Sequence, residues 1–316
     1  MKNPEISVII PIFNTAAYLE ACLDSIRHQT FSDFEVIMIN DGSSDDSDTI
    51  CQHYTQLDDR FVLINQSNLG VTMARRNGVF KANGEYITFV DSDDTIPNNA
   101  LELLITHASD NTDIILGKID KLSYPEEELI SISGYRRRCL TGEKVILGPV
   151  AKLFKRSLFS EHIFSIPREI THGEDALMNI RLAFASKKDV ISIGEIVYYY
   201  NIGRDGSATD RFTFTPAYAF LLHQHRFSSV PCEYIPLLKN ELYHFSIKNW
   251  LYAIRMLPVI PNEYLSHHLN IANASQTSKF PLNIIDKCSL MLGNGVTRLL
   301  FVNCRLLIRK IINYTK

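Results

Sequence analysis

Closely spaced cysteines are missing from this sequence of 316 residues. Its six cysteines are scattered, with no Cys-x-x-Cys pair among them: Cys22, Cys51, Cys139, Cys232, Cys288 and Cys304. Structural zinc sites and small disulfide scaffolds both need grouped cysteines. The sequence therefore predicts neither kind of site.

Long apolar runs and an excess of basic residues are also missing. The apolar run near the N-terminus is broken at Pro11, which is too early for a signal peptide. The uncharged window from Cys288 to Thr297 contains Gly293 and Gly295, unlike a membrane-spanning helix. With 32 Lys+Arg against 35 Asp+Glu, the net charge of -3 argues against nucleic acid as the main partner. We expect a cytoplasmic protein, and peripheral contact with the inner face of the membrane stays open.

The first 95 residues alternate between strand-like and helix-like segments. Apolar, β-branched runs predict strands that are buried on both faces, and apolar residues at helical spacing predict the intervening helices. The predicted strands are Ile6–Ile10, Glu35–Ile39, Phe61–Ile64 and Tyr86–Val90, and the predicted helices are Thr15–His28, Asp45–Tyr54, Gly70–Ala82 and Pro97–Ala108. This alternation indicates an α/β fold, with a mostly parallel sheet and helices on both of its faces.

The alternation of strand-like and helix-like segments becomes irregular after residue 116. Polar segments run to about Gly148, a helix is predicted at Glu174–Ser186, and two short strands are predicted around Gly194 within Val190–Tyr200. From about residue 215 the sequence is rich in aromatic residues and is predicted to be helical. We therefore predict an α/β domain over residues 1–212 and a helical C-terminal region over residues 213–316.

Three polar clusters follow predicted strands. They are PIFN from Pro11, NDGSSDDS from Asn40 and DSDD from Asp91. Each alone is typical of turns and helix caps. Ligands of open α/β sheets bind beyond the carboxyl ends of the strands, where these clusters would meet. Together the three clusters favour a binding site.

The DSDD cluster suits a hard divalent cation, because Asp91 and Asp93 are two carboxylates at the end of a strand. A calcium loop of the EF-hand type is the rival interpretation. Ile96 stands where such a loop needs glycine, Pro97 follows it, and the preceding segment is a strand. These departures exclude the calcium loop.

Two helix starts carry further candidates. Gly70 opens a helix on which Arg75 could reach a phosphate, or Arg75 could be a solvated side chain of an ordinary amphipathic helix. Glu174 and Asp175 lie in the first turn of a later helix. They would either complement the helix dipole or supply a general base. Because adjacent helical residues point to different sides, at most one of the two acids would enter a site.

Six segments, taken in order, resemble glycosyltransferase family 2 of the bacterial surface-polysaccharide type. They are PIFN, NDGSSDDS, NLGVTMARRNGV, GEYITFVDSDD, AKLFKRSLF and GEDALMNIRLAF, and the resemblance covers about residues 4 to 212. It implies the Rossmann-like GT-A fold, an inverting mechanism and a nucleotide-sugar substrate.

The resemblance implies a role for each matching residue. Pro11 and Phe13 would line the uracil or ribose pocket, and Asp41 would accept a hydrogen bond from the uracil ring. Asp93 would bind the cation, Mn²⁺ or Mg²⁺, with Asp91 near the ribose or the metal. Asp175 would be the catalytic base, supported by Glu174. The remaining implied donor-binding residues are Asn68, Gly70, Arg75, Ser92, Lys152 and Arg204, with Lys152 a candidate for diphosphate contact.

Two departures from processive members narrow the expected activity. The chain lacks their Gln-x-x-Arg-Trp motif, since its single tryptophan, Trp250, follows Asn249, and it lacks their membrane helices. We therefore expect a metal-dependent, non-processive hexosyltransferase that moves one hexose from a UDP-sugar to a glycan or lipid-linked glycan and forms a β-glycoside. The motifs leave the sugar open. A sugar nucleotidyltransferase and an inactive carbohydrate-binding relative are the alternatives.

The C-terminal segment is basic. Residues 287–316 carry six basic residues and no acid, and Arg298, Arg305, Arg309 and Lys316 fall on one helical stripe beside apolar residues. This pattern favours an interfacial membrane helix. A terminal helix packed on the core or on the second copy of a homodimer is the alternative.

Overall fold

The computed structural model describes residues 3–201, 214–254, 257, 259–277 and 289–291. The chain divides into two compact units, Met1–Ser207 and Ala208–Lys316. The domain boundary predicted at residue 212 lies outside the described residues, as do most of the basic C-terminal segment and Arg204. Within the described parts of the chain, no helix has the length and apolar character needed to cross a membrane.

One mixed sheet organises the first unit, with strand order β3-β2-β1-β4-β7-β5-β8-β6 among the described residues. Strands β1 to β4 pair in parallel, as do β5 and β8, whereas β7 runs antiparallel to β4 and β5, and β6 antiparallel to β8. The strands are β1 (Ile6–Ile12), β2 (Phe34–Asn40), β3 (Phe61–Asn65), β4 (Tyr86–Phe89), β5 (Ile114–Ile119), β6 (Glu127–Ile130), β7 (Lys152–Lys155) and β8 (Val190–Tyr198).

Helices cover both faces of this sheet. Their bounds are α1 (Ala16–Arg27), α2 (Ser47–Leu57), α3 (Val71–Lys81), α4 (Ala100–Ile105), α5 (Ile132–Thr141), α6 (Glu161–Phe164) and α7 (Glu174–Ala185). Val8 and Ile10 of β1 share a core cluster with residues of α1, whereas Ile9, on the opposite face, lies against Gly78 of α3. A Cβ atom at Gly78 would overlap the Ile9 side chain, so this glycine permits the close approach of α3. The predicted α/β arrangement is therefore confirmed.

The central strand is buried at every position, and this follows from its sequence. ISVIIPI is almost continuously apolar, and β1 lies between two parallel neighbours with helices on both sides. Helix α1 buries Leu19, Cys22, Leu23 and Ile26, which recur at helical spacing. Full burial of one such aliphatic side chain contributes about 1.5–3 kcal/mol. The packing fixes the end of β1, where the candidate site begins.

Two sequence predictions about the second half of this unit were wrong. The segment Val190–Tyr198 is one strand rather than two, because Gly194, with φ 67°, continues it through an irregularity in its register with β5. The segment predicted as loosely polar contains β6 and α5. The sequence did not indicate this helix, because a run of arginines suggests an exposed segment. Arg136 is instead buried and donates to the carbonyl oxygens of Ala183 and Ser186 at the end of α7.

The second unit contains α8 (Pro216–Ser228), α9 (Lys239–Ile254) and α10 (Leu265–Thr277). Its core surrounds Trp250, which is fully buried among Ala219, Ile247 and Ile271. The indole Nε1 of Trp250 donates to Nδ1 of His268 at 3.1 Å. The single tryptophan is therefore a core residue of this unit.

Candidate active site

The loops after β1, β2 and β4 are joined by hydrogen bonds. Asn14, with φ 52°, accepts from the backbone N–H of Ser44 through Oδ1 at 2.8 Å. The backbone N–H of Thr15 donates to Oγ of Ser47 at 3.2 Å, and the Thr15 hydroxyl donates to Oγ of Ser92 at 2.9 Å. The three polar clusters of the sequence therefore meet at one edge of the sheet, as predicted from their positions at the carboxyl ends of strands.

Asp41 is buried and anchors the loop that leads into α3. Its Oδ1 accepts from Nε2 of Gln66 at 2.7 Å and from the backbone N–H of Leu69 at 2.8 Å. Its Oδ2 accepts from the N–H of Gly70 at 2.8 Å. Gly70 has φ 88°, and the space where a Cβ would project is open. Asp41 thus holds the start of α3, and its predicted contact with a uracil ring stays a prediction.

Arg75 connects the two acidic parts of the site. Its side chain is only 3% exposed, and its Nη1 donates to Oδ1 of Asp175 at 2.6 Å while its Nη2 donates to Oδ1 of Asp91 at 2.9 Å. Its Nε is buried without a hydrogen-bond partner. Burial opposes the charge, but Asp175 and Asp91 outweigh this effect and raise the pKa of Arg75. The guanidinium stays charged between two carboxylates.

The two acids at the start of α7 have different surroundings. Asp175 is partly exposed and pairs with Arg75, and burial raises its pKa while Arg75 opposes the rise. Glu174 has its Oε2 buried without a hydrogen-bond partner. Burial and the neighbouring Asp175 raise the pKa of Glu174 to about 7. Asp175 pairs with Arg75, and the expectation that at most one of the two acids enters a site stays a prediction.

Tyr198 positions the DSDD loop, and the sequence did not indicate this role. Its buried hydroxyl donates to Oδ2 of Asp94 at 2.7 Å and accepts from the backbone N–H of Asp91 at 3.1 Å. Asp94 is itself buried and accepts through Oδ1 from the backbone N–H of Asn201 at 2.8 Å. Burial raises the pKa of Asp94 to about 7. A tyrosine ending a strand is common, so the motif alone could not reveal this contact.

A divalent cation would have Asp91 and Asp93 as its protein ligands. Among the residues described, no three His, Cys, Asp or Glu side chains come together as a metal site. Two carboxylates nevertheless suit Mg²⁺ or Mn²⁺ when substrate phosphates supply further oxygens. Asp91 is 30% exposed and uses one oxygen for Arg75, and Asp93 is also partly exposed. These two carboxylates therefore suit a cation that binds together with a diphosphate.

The placement of Lys152 does not support the diphosphate contact predicted for it. Its side chain is 1% exposed, and its Nζ donates to the carbonyl oxygen of Ile146 at 2.8 Å and to that of Gly148. Nδ2 of Asn179 donates to the carbonyl oxygens of Leu147 and Gly148 at 2.7 and 2.9 Å. Burial lowers the pKa of Lys152 to about 7. Lys152 therefore fixes the loop that approaches Asp175 rather than facing a ligand.

The other predicted donor residues vary in exposure. Pro11 is buried in β1, Ser92 is buried, and Phe13 is 48% exposed just beyond β1. Asn68 accepts through Oδ1 from Nη2 of Arg168 at 2.9 Å. Arg168 was missed by the sequence analysis, because it belongs to a loop without a recognisable motif.

Comparison with known proteins places these motifs in a family. Residues 7–163 match the family model described as Glycosyl transferase family 2. EpsH of Bacillus subtilis, which bears the name of a glycosyltransferase, is 32% identical over 64% of this chain and 62% of its own length. The chain thus spans less than two thirds of EpsH. The GalNAc(5)-diNAcBac-PP-undecaprenol beta-1,3-glucosyltransferase of Campylobacter jejuni is 31% identical over 65% of this chain and 67% of that protein.

A solved structure matches the fold. The crystal structure of S. aureus TarS 1–349 in complex with UDP-GlcNAc aligns with a TM-score of 0.64, covering 85% of this chain and 81% of that chain at 20% identity. This likeness confirms the GT-A fold. The matched family model, the identity to the C. jejuni enzyme and the sheet just described lead to one assignment: the chain belongs to glycosyl transferase family 2.

Proposed function

We propose that the chain is a non-processive, inverting hexosyltransferase that moves one hexose from a UDP-sugar to a hydroxyl of a bacterial surface glycan. The observation that carries this proposal is the Arg75 guanidinium, which holds Asp91 of the DSDD loop and Asp175 of α7 at 2.9 and 2.6 Å. Arg75 therefore holds both Asp91, which is expected to lie near the sugar donor, and Asp175, the candidate general base. Holding the two carboxylates near each other suits a transferase, because the donor and the acceptor must react in one place.

Asp175 acts as the general base in this proposal. Its carboxylate takes the proton of the acceptor hydroxyl, whose oxygen attacks the anomeric carbon as the bond from that carbon to the diphosphate breaks. An α-linked UDP-hexose would then give a β-glycoside and UDP. Arg75 keeps Asp175 oriented and favours its charged form, which burial opposes.

Asp91 and Asp93 would hold the divalent cation, which would supply positive charge to neutralise the departing diphosphate. The chain itself fixes the loop on which they lie. Tyr198 binds the N–H of Asp91 and the carboxyl group of Asp94, so the loop is held before a donor arrives. Preorganisation of this kind lowers the cost of stabilising charge in the transition state.

The names of similar proteins support the choice of substrates. The TarS structure contains UDP-GlcNAc, and the C. jejuni relative is named for a β-1,3-glucosyl transfer to a diphosphate-linked undecaprenol glycan. We extend these two features to this chain as proposals, namely a UDP-sugar donor and a glycan or lipid-linked glycan acceptor. An O-antigen, a capsule or a lipooligosaccharide would provide such an acceptor.

The stereochemistry of the product tests the proposal. The full chain is incubated with Mn²⁺, a UDP-α-hexose and isolated lipid-linked bacterial oligosaccharides, and the new anomeric proton is examined by NMR. We expect a β-linkage. An α-linkage would overturn the inverting mechanism and the role of Asp175 as a base.

A lipid-linked acceptor would make residence at the inner face of the cytoplasmic membrane useful. Residues 287–316 would supply the contact, because their basic residues attract anionic lipid and their apolar residues can enter the interface. Co-sedimentation with anionic liposomes at low and high salt tests this. We expect a chain ending near Asn283 to bind less than the full chain. Equal binding of both would contradict the membrane contact and favour packing on the core or in a homodimer.

A further inference from the structure

The C-terminal unit contains an open cavity of about 690 Å³, lined within that unit by residues of α8, α9 and α10 and the segments between them. This volume lies in the range of small-molecule sites. The cavity is outside residues 7–163, which the family model matches, and no motif of the sequence analysis falls in it. The candidate active site therefore gives no role to the residues that line this cavity.

Five rings form a continuous wall of this cavity. Phe220 contacts His267 with ring centroids 4.9 Å apart, and His267 contacts His223 at 4.6 Å. His223 contacts Phe227 at 4.5 Å and Tyr243 at 5.7 Å. Aromatic faces carry partial negative charge, and the C–H groups of a pyranose ring carry partial positive charge. Such a wall suits the apolar face of a sugar.

Polar groups surround the rings. Gln224, Ser266 and Asn270 supply amide and hydroxyl groups at exposed positions, and Glu263 supplies a carboxylate. These groups can donate to and accept from hydroxyls of a ligand. A lipid chain would leave them without partners. Among the described residues that line the cavity, none is lysine or arginine, which a phosphate would require.

The two imidazoles of the wall add no positive charge. Burial lowers the pKa of His223 to about 3, and His267 and Arg226 contribute to the shift. Burial also lowers the pKa of His267 to about 4. His267 is 6% exposed, and its Nε2 is buried without a hydrogen-bond partner. Neutral imidazoles can donate or accept hydrogen bonds without attracting an anion, so the wall suits a polar, uncharged ligand.

We propose that this cavity binds an uncharged saccharide segment and is a glycan-binding site separate from the transferase site. The choice of a saccharide rests on the proposed function, whereas the aromatic wall and its polar surround are observed independently. Bound there, a glycan chain would be retained by the protein without taking part in the chemical step. The site would raise the local concentration of acceptor chains.

The single tryptophan supplies a direct readout. Trp250 lies with its ring centroid 4.6 Å from that of His267, so its fluorescence should respond to a ligand in the cavity. The full chain, without donor, is titrated with four neutral probes, namely maltohexaose, cellohexaose, laminarihexaose and chitohexaose. Inorganic phosphate and decanol serve as comparison ligands. We expect saturable binding of at least one hexasaccharide, and no binding of phosphate.

Exposed residues of the cavity allow a variant that should fold. The double change Gln224→Ala and Asn270→Ala removes two amides, and we expect about tenfold weaker saccharide binding. The matched control is Asn240→Ala with Asn262→Ala, which removes exposed amides that do not line the cavity. The control should bind like the wild type.

Three results would overturn this inference: no binding of any hexasaccharide, equal binding by the cavity variant and its control, or preference for phosphate or for the decyl chain. Release of UDP from UDP-sugars, with isolated lipid-linked bacterial oligosaccharides as acceptor, is measured on the same proteins. If the wild type binds saccharide but releases no UDP, the proposed function fails while the glycan site stands. If it releases UDP but binds no saccharide, only the glycan site fails.

Discussion

Among single residues, Arg75 determines how the two carboxylates of the site are held. It is nearly fully buried, its two terminal nitrogens are engaged by Asp91 and Asp175, and both acids raise its pKa. Breaking one partner of such a buried network leaves an uncompensated charge. The effects of changing Asp175 must therefore be measured with an isosteric replacement.

Asp175→Asn keeps an oxygen that can accept from Arg75 but removes the proposed base. We expect the variant to fold and to bind UDP while turnover falls by about 10²–10⁴-fold, the usual contribution of general-base catalysis. The measurement is kcat and KM for the donor, with a thermal unfolding curve. Glu174→Gln is the matched comparison. If Glu174→Gln is inactive and Asp175→Asn is active, the roles of the two acids are exchanged.

Asp93→Ala tests the cation site. We expect loss of transfer and loss of the Mn²⁺-dependent part of UDP binding, because the variant has one carboxylate fewer for the metal. UDP binding is measured by calorimetry with Mn²⁺ and with EDTA. Asp59→Ala, at an exposed position outside the site, is the control. Full activity of Asp93→Ala in EDTA would contradict the metal assignment.

At the scale of secondary-structure elements, the end of β8 supports the loop after β4. The Tyr198 hydroxyl bridges the carboxyl group of Asp94 and the N–H of Asp91. Tyr198→Phe leaves both groups without this partner, which costs about 1–3 kcal/mol when a buried group is unsatisfied. We expect lower stability in urea unfolding and a higher KM for the donor. Tyr199→Phe, at an exposed neighbouring position, should change neither. Equal behaviour of the two variants would refute the positioning role.

Lys152 links β7 to the loop beside α7, and its titration predicts a pH effect. Its usual pKa of 10.5 applies to the unfolded chain, and burial lowers the folded value to about 7. Between these values the unfolded chain binds more protons than the folded chain, so this group makes the protein more stable as pH rises. Lys152→Met removes that dependence.

We therefore expect the unfolding free energy of the wild type to rise relative to Lys152→Met from about pH 7 to about pH 9.5. Urea unfolding of both proteins at several pH values measures the difference. Lys155→Met, in the same strand, is the control, because Lys155 is more exposed and pairs with Glu85. A difference that does not change with pH would contradict the neutral, buried lysine.

The first four strands could be predicted because their apolar runs are long and their loops short. Helix α5 could not, since its three consecutive arginines suggest an exposed segment, whereas Arg136 is buried against carbonyl oxygens at the end of α7. Lys152, for which the resemblance implied a diphosphate contact, is a similar case. Its partners are backbone carbonyls of a loop whose path depends on the tertiary fold. The local sequence identifies a charged residue, but the tertiary fold determines whether its charged group contacts a ligand or a backbone carbonyl oxygen.

At the scale of the whole molecule, two compact units carry different chemistry. The GT-A unit contains the acidic site built around Arg75, and the C-terminal unit contains the cavity with the aromatic wall. The family model matches residues 7–163, which lie in the first unit, so members of the family need not share the second. Donor chemistry and glycan retention can thus be tested separately.

Release of UDP across a panel of UDP-sugars tests the central claim most directly. The full chain is incubated with Mn²⁺, isolated lipid-linked bacterial oligosaccharides as acceptor and each donor, beside a reaction with UTP and sugar 1-phosphates in which pyrophosphate is measured. We expect UDP release from at least one UDP-sugar, its loss in Asp175→Asn and in EDTA, and no pyrophosphate. Pyrophosphate without UDP would identify a nucleotidyltransferase, absence of both would fit an inactive carbohydrate-binding relative, and undiminished UDP release by Asp175→Asn would contradict the proposed base.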